Sequence, residues 1–184
     1  MQAIARHCPK LRELTINDDR YYSLAPLSQL RSLQGLHCYG GQLNDVAMAA
    51  LADLPDFQSL GIELPNPTCM SHLGRLGTKI HQLSLRNQAG IGPESLTNAS
   101  DWQEITELIE LEELTIMAMI SVDAKLLRAV SSLPRLKAFH VYGDLNPEDH
   151  SKLRRYTMDD IAAFRQSRQD VELHIDGKEF PVAR

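Results

Sequence analysis

A six-residue pattern recurs along this chain and restricts its fold more than any other feature. Leu11-Arg-Glu-Leu14-Thr-Ile16 places apolar side chains at positions one, four and six, with polar residues between them. The spacing returns as Leu33/Leu36/Cys38, Phe57/Leu60/Ile62, Ile80/Leu83/Leu85, Leu111/Leu114/Ile116 and Leu136/Phe139/Val141, and more loosely as Val171/Leu173/Ile175. The first residues of the first six copies lie 22, 24, 23, 31 and 25 residues apart. Regular self-similarity of this kind means that each copy is a small unit that buries its apolar side only by stacking on its neighbours. Within a copy, positions four and six alternate with three and five. That is the period of a strand with one face on a core.

A period of about 20 to 29 residues carrying this hexad is the leucine-rich-repeat signature. The expected fold is therefore α/β: a leucine-rich-repeat solenoid of about seven units. A curved parallel sheet would line its concave side, with helices and loops on the convex side. Residues 1–184 read as a single such domain, with 157–184 as a closing helix and strand hairpin.

Residues 2–8 read as the end of a helix, with Ile4 and Cys8 four apart and Pro9 as the stop. The chain thus starts in mid-repeat without a polar cap, as expected of a fragment or of a chain preceded by another domain. Glu13 to Asn17 is the first strand, and 24–30 is a short return. Asn44 is placed to cap a helix over Asp45 to Asp53 whose inward face is Val46, Met48, Ala49, Leu51 and Ala52. The longest period reflects an insertion over Ala89 to Ser100, before a helix at about Asp101 to Ile109. Asp123 is placed to cap Ala124 to Ser132, with Leu126, Leu127 and Val130 inward. Asn146 to Leu153 reads as a helical turn. Thr157-Met-Asp-Asp160 resembles a capping box opening the helix Met158 to Gln166, with Ile161 and Phe164 facing the core. Asp170 to Ile175 is the last strand, and Asp176-Gly177 turns it into a return strand ending at Val182.

Net charge is -5, and the one basic cluster, Lys152-Leu-Arg154-Arg155, reads as a solvated helix face. A nucleic-acid partner is not expected from so weak a basic footprint. There are three cysteines and no C-x-x-C pair. Cys38 stands where other copies have Ile or Leu, and Cys8 just precedes a strand. Both read as small core residues of a reducing compartment. The first eight residues lack the apolar run of a signal peptide. No window approaches the roughly 18 apolar residues of a membrane span. A cytoplasmic or nuclear protein without a membrane partner is expected.

Positions three, five and seven of each hexad point away from the core. They carry Glu13, Thr15 and Asn17, then Gly35, His37 and Tyr39, then Ser59, Gly61 and Glu63. Gln82, Ser84 and Arg86 follow, then Glu113, Thr115 and Met117, then Ala138, His140 and Tyr142. Glu172, His174 and Asp176 end the face. A broad surface of mixed charge with tyrosines and an arginine fits a protein partner, whereas a small molecule needs a pocket. From it the expected partner-binding residues are Glu13, Thr15, Asn17, His37, Tyr39, Glu63, Gln82, Ser84, Arg86, Glu113, Met117, His140 and Tyr142. His140 and His174 fall on adjacent strands with Asp176 near, and imidazole with carboxylate is metal-ligand chemistry. The ligand spacing is too loose to weigh as a site, and no metal or cofactor is expected. Without a G-x-S-x-G elbow or a phosphate loop, catalytic residues and enzymatic activity are not expected either.

Ala3-Ile-Ala-Arg-His-Cys8-Pro-Lys-Leu11-Arg-Glu-Leu14-Thr-Ile16 resembles the cysteine-containing repeat of F-box leucine-rich proteins, and Ser131-Ser-Leu-Pro-Arg-Leu136-Lys-Ala-Phe139-His-Val141 is similar. The resemblance implies an adaptor whose repeats hold a substrate while an F-box docks on a Skp1-like subunit of a cullin ubiquitin ligase. No F-box-like segment lies ahead of the repeats in this sequence, so the resemblance extends to the substrate-recognition part. A Skp1-like partner is expected only where an F-box precedes. The alternative is a stand-alone or truncated repeat domain acting as scaffold or inhibitor.

Overall fold

The computed structural model describes residues 1–17, 24–39, 45–64, 73–87, 102–117, 122–142, 154–176 and 178–181. Asn44, the insertion Ala89 to Ser100 and the turn expected at Asn146 lie outside the described residues.

Each hexad folds as a strand: β1 (Glu13–Asn17), β2 (Gly35–Tyr39), β3 (Ser59–Leu64), β4 (Gln82–Asn87), β5 (Glu113–Met117), β7 (Ala138–Tyr142) and β9 (Glu172–Ile175). With the terminal β10 (Lys178–Glu179) they form one eight-stranded sheet in the order β1-β2-β3-β4-β5-β7-β9-β10. All pairings are parallel except that of β10 with β9. The fold is α/β, and the sheet is open, with β1 and β10 as its edges. A two-residue ladder, β6 (Val122–Asp123) with β8 (Arg154–Arg155), forms a second small parallel sheet. Arg154 and Arg155 thus lie on a strand and not on the helical turn that the basic cluster led one to expect.

Positions four and six of the hexads enter the core as the alternation requires. Leu36, Cys38, Leu60, Ile62, Leu83, Leu85, Leu114, Ile116, Phe139, Val141, Leu173 and Ile175 are all buried. Position one is buried from Leu33 through Val171. In β1, Leu11 and Leu14 are only half-buried, because an edge strand has a neighbour on one side alone.

The backbone repeats as closely as the side chains. The carbonyl at position two of each hexad accepts two N–H groups, those of positions two and three of the next. Arg12 O accepts from Gln34 and Gly35, Gln34 O from Gln58 and Ser59, and Gln58 O from His81 and Gln82. His81 O and Glu112 O continue the series to Glu112/Glu113 and Lys137/Ala138. The series ends on a single bond, Glu172 N to Lys137 O, since the last copy is one residue shorter between its first apolar residue and its strand.

The returns between strands are varied: α1 (Gln2–His7), a 3-10 turn (Ala25–Gln29), α2 (Asp45–Ala52), α3 (Gln103–Thr106), α4 (Ala124–Ser131) and α5 (Met158–Ser167). Asp123 caps α4 by accepting from Lys125 N at 3.0 Å and Leu126 N at 2.8 Å. Thr157 and Asp160 form the reciprocal capping box of α5. Three expectations need correction. Val46 is 61% exposed, and Ala47, Met48 and Leu51 carry the inward face of α2. The helix read at Asp101 to Ile109 shortens to Gln103–Thr106, because Trp102 and Ile105 fill the layer and the chain turns at once. Cys8 is exposed, since it ends α1 and points outward, whereas Cys38 is buried. The expected hairpin is present: Lys178 pairs with Ile175 and Glu179 with His174, across a turn where Asp176 takes φ 50, a left-handed conformation that Asp tolerates.

Helix ends leave backbone carbonyls without intrahelical partners. Here a cation from a neighbouring unit, earlier or later in the chain, supplies the donor. Arg31 Nη1 donates to Asp53 O at 3.3 Å, and Lys79 Nζ to Ala52 O and to Leu54 O at 2.8 Å. Past the end of α4, Arg168 donates to Leu133 O and, at 2.7 Å, to Leu136 O.

Replacing the cap of α4 tests how much these ends matter. Asp123→Ala is expected to lower unfolding free energy by about 1 kcal/mol. Asp123→Asn is expected to keep most of it. Urea unfolding followed by circular dichroism reads both.

Candidate functional site

In-register pairing turns positions three, five and seven into three rows that cross the sheet. The first runs Glu13, Gly35, Ser59, Gln82, Glu113, Ala138, Glu172. The second runs Thr15, His37, Gly61, Ser84, Thr115, His140, His174. In the third, Asn17 pairs with Tyr39, and Glu63, Arg86, Met117 and Tyr142 follow in register. Every residue expected on the partner face lies in these rows. Glu13, Thr15, Asn17, Gln82, Arg86 and Tyr142 are exposed, and His37, Tyr39, Glu63, Ser84, Glu113, Met117 and His140 are half-buried.

Contacts across the rows bring some of these residues together. The Arg86 guanidinium lies 5.9 Å from the centre of the Tyr39 ring, reaching over β3 in a cation–π contact. His37 packs beside Tyr39 at 6.4 Å, and His140 stacks on Tyr142 at 6.1 Å and 5°. Gln82 Nε2 donates to Glu113 Oε2 at 3.4 Å. Three groupings result: Tyr39/Arg86/His37 on β2–β4, Gln82/Glu113 on β4–β5 and His140/Tyr142 on β7. Glu13 and Asn17 lie on the edge strand, Asn17 next to Tyr39 in register.

Two glycines shape the surface between them. A Cβ on Gly35 would lie 1.9 Å from Glu13 Oε2, and one on Gly61 would lie 2.3 Å from His37 Nδ1. Glu13 and His37 therefore lie down over the neighbouring strand, which leaves both glycines buried in the face.

At the start of the strands, Gln34, Gln58, His81, Glu112 and Lys137 edge a shallow polar recess. Lys137 Nζ pairs with Glu112 Oε2 at 2.7 Å, and Arg135 pairs with Glu110. The Lys137 hydrogen bond, helped by the charges of Lys137, His81 and Arg135, holds the Glu112 carboxyl below its ordinary range.

One grouping escaped the sequence reading. Glu172, not Asp176, joins His140 and His174: one ligand atom from each of the three lies within 4.8 Å of the others. The signal was available, because Glu172 and His174 are two apart on one strand and so share a face. Arg168 was missed as well. It is buried, and it holds Asp170 through two contacts at 2.9 Å besides its carbonyl bonds.

No helix among the described residues is long and apolar enough to cross a membrane. No protein-family model and no curated protein sequence matches this chain.

Proposed function

We propose that this chain is a leucine-rich-repeat solenoid that works as a non-enzymatic protein-interaction module, with a partner protein bound on the concave, row-bearing face of the sheet. In this reading it is the substrate-recognition part of an F-box-type ubiquitin-ligase adaptor, in line with the resemblance of its repeats. The observation that carries the binding role is the Tyr39–Arg86 pair, held at 5.9 Å on a face whose side chains remain exposed or half-buried. Tyr and Arg are the residue types that dominate binding energy at protein interfaces. A sheet face of seven strands at about 4.8 Å spacing is on the order of 30 Å wide, the scale of a protein contact and not of a small ligand. Sequential strand pairing and the recurring bifurcated carbonyls support the repeat architecture.

Affinity capture followed by mass spectrometry tests the reading. The variant Tyr39→Ala/Arg86→Glu/Tyr142→Ala is expected to lose a partner that the parent chain and a Lys125→Glu control both retain, Lys125 being exposed on α4. An unchanged partner profile in the triple variant would sink the proposal.

A further inference from the structure

We propose that His140, Glu172 and His174 form a binding site for a divalent zinc-class metal ion, with zinc(II) as the fitting ion. The site sits at the β7–β9 end of the exposed face. His140 and His174 are register partners on adjacent strands, and their rings stand 5.2 Å apart. Glu172 precedes His174 by two residues on the same strand, and its Oε1 already lies 2.9 Å from His174 Nε2.

Two imidazoles and a carboxylate are a donor set that zinc accepts with three protein ligands and one further position. At bond lengths of about 2.0–2.1 Å, tetrahedral ligands stand roughly 3.3 Å apart. The three donor atoms all lie within 4.8 Å of one another, so closing on an ion brings any pair nearer by no more than about 1.5 Å.

A second observation points to the same place. His140 Nδ1 is buried without a hydrogen-bond partner among the described residues. The ring meets Tyr142 and His174 through ring contacts alone. Turning it to present a nitrogen to the ion therefore breaks no hydrogen bond to a described residue. A buried ring nitrogen with no partner is otherwise a cost to the fold. Glu172 is more than half exposed and His174 less than a third, so the fourth position opens toward solvent and is filled by water. Nitrogen donors select zinc over magnesium and calcium, which prefer all-oxygen shells.

The inference does not depend on the partner reading, and its test uses the full chain and zinc alone. Titration against a chromophoric zinc chelator is expected to show one equivalent bound with a micromolar or lower Kd, insensitive to millimolar magnesium. His140→Ala and His174→Ala are each expected to weaken binding on the order of 100-fold, since loss of mere outer-shell partners costs roughly 10–100-fold. Glu172→Gln, at an exposed position, keeps the fold and is expected to weaken binding as well. His37→Ala and His81→Ala are expected to bind as the parent does. Cobalt(II) in place of zinc is expected to give a visible absorption band that disappears in Glu172→Gln. Absence of binding by the parent at micromolar zinc would overturn the proposal, and so would equal binding by parent and Glu172→Gln.

Discussion

Phe139→Ala is expected to cost about 3–5 kcal/mol, the range for truncating a fully buried aromatic residue. Phe139 is among the largest side chains with no exposed surface. It sits at position four of β7, in register with Leu114 on one side and Leu173 on the other, and its ring meets Phe164 of α5 at 6.3 Å. Removing the ring opens a void between the sheet and the helix layer in an interior that tolerates few gaps. Natural domains are stable by only about 5–15 kcal/mol, so this one change removes a large share. Urea unfolding gives the loss. The single tryptophan, Trp102, is buried by α3 and offers a second probe. If units couple only to their neighbours, the circular dichroism signal of the variant is expected to begin falling before Trp102 fluorescence does. Coincident transitions would mean that the whole sheet melts as one.

Arg168→Ala is expected to cost about 2–6 kcal/mol, because it strands Leu133 O and Leu136 O in a buried place, at about 1–3 kcal/mol for each unmade bond. Arg168→Lys is expected to fall between, since one ammonium cannot span both carbonyls and the two Asp170 oxygens that the planar fork reaches. The same site carries an acid dependence. The Arg168 hydrogen bond holds the Asp170 carboxyl below its ordinary value of 3.8. The Lys137 contact does this for Glu112, ordinarily 4.5, and the Thr157 backbone N–H does it for Asp160. A carboxyl with a lowered folded-state pKa stabilises the fold fully above its unfolded value and loses that contribution as pH falls through the folded one. Stability is therefore expected to hold from neutrality to about pH 5 and to decline below about pH 4. In Arg168→Ala the part of the decline owed to Asp170 is expected to vanish. Thermal melts from pH 7 to pH 3 read both effects.

The strands and their inward residues were legible because hexad spacing and strand alternation are local properties of the chain. Leu36, Ile62 and Phe139 could be assigned to the core from their neighbours in sequence alone. The caps at Asp123 and Thr157 were legible for the same reason, since their partners lie two or three residues away. What was illegible depends on distance along the chain. Arg168 meets carbonyls more than 30 residues earlier, and Lys79 meets those 25 and 27 residues earlier. The pairing of β6 with β8 is equally remote. Val46 misled because α2 is apolar nearly all round, and such a helix gives little warning of which side faces out. The rows of the candidate face were readable, but their contacts were not. That Arg86 reaches Tyr39 over an intervening strand follows from the length of its side chain, which spans the Glu63 position of β3.

Straight register has one more consequence. It makes residue number a map reference. The copy of the hexad gives one coordinate, stepping about 4.8 Å from strand to strand, and the position within the hexad gives the other, stepping about 6.6 Å for every second residue. Arg86 and Tyr142 lie two strands apart on the same line, and His140 lies one step off that line on the strand of Tyr142. The separation of any two sites on this surface is thus known from the sequence before a partner is found, and each cross-link or substitution locates a footprint on an existing grid.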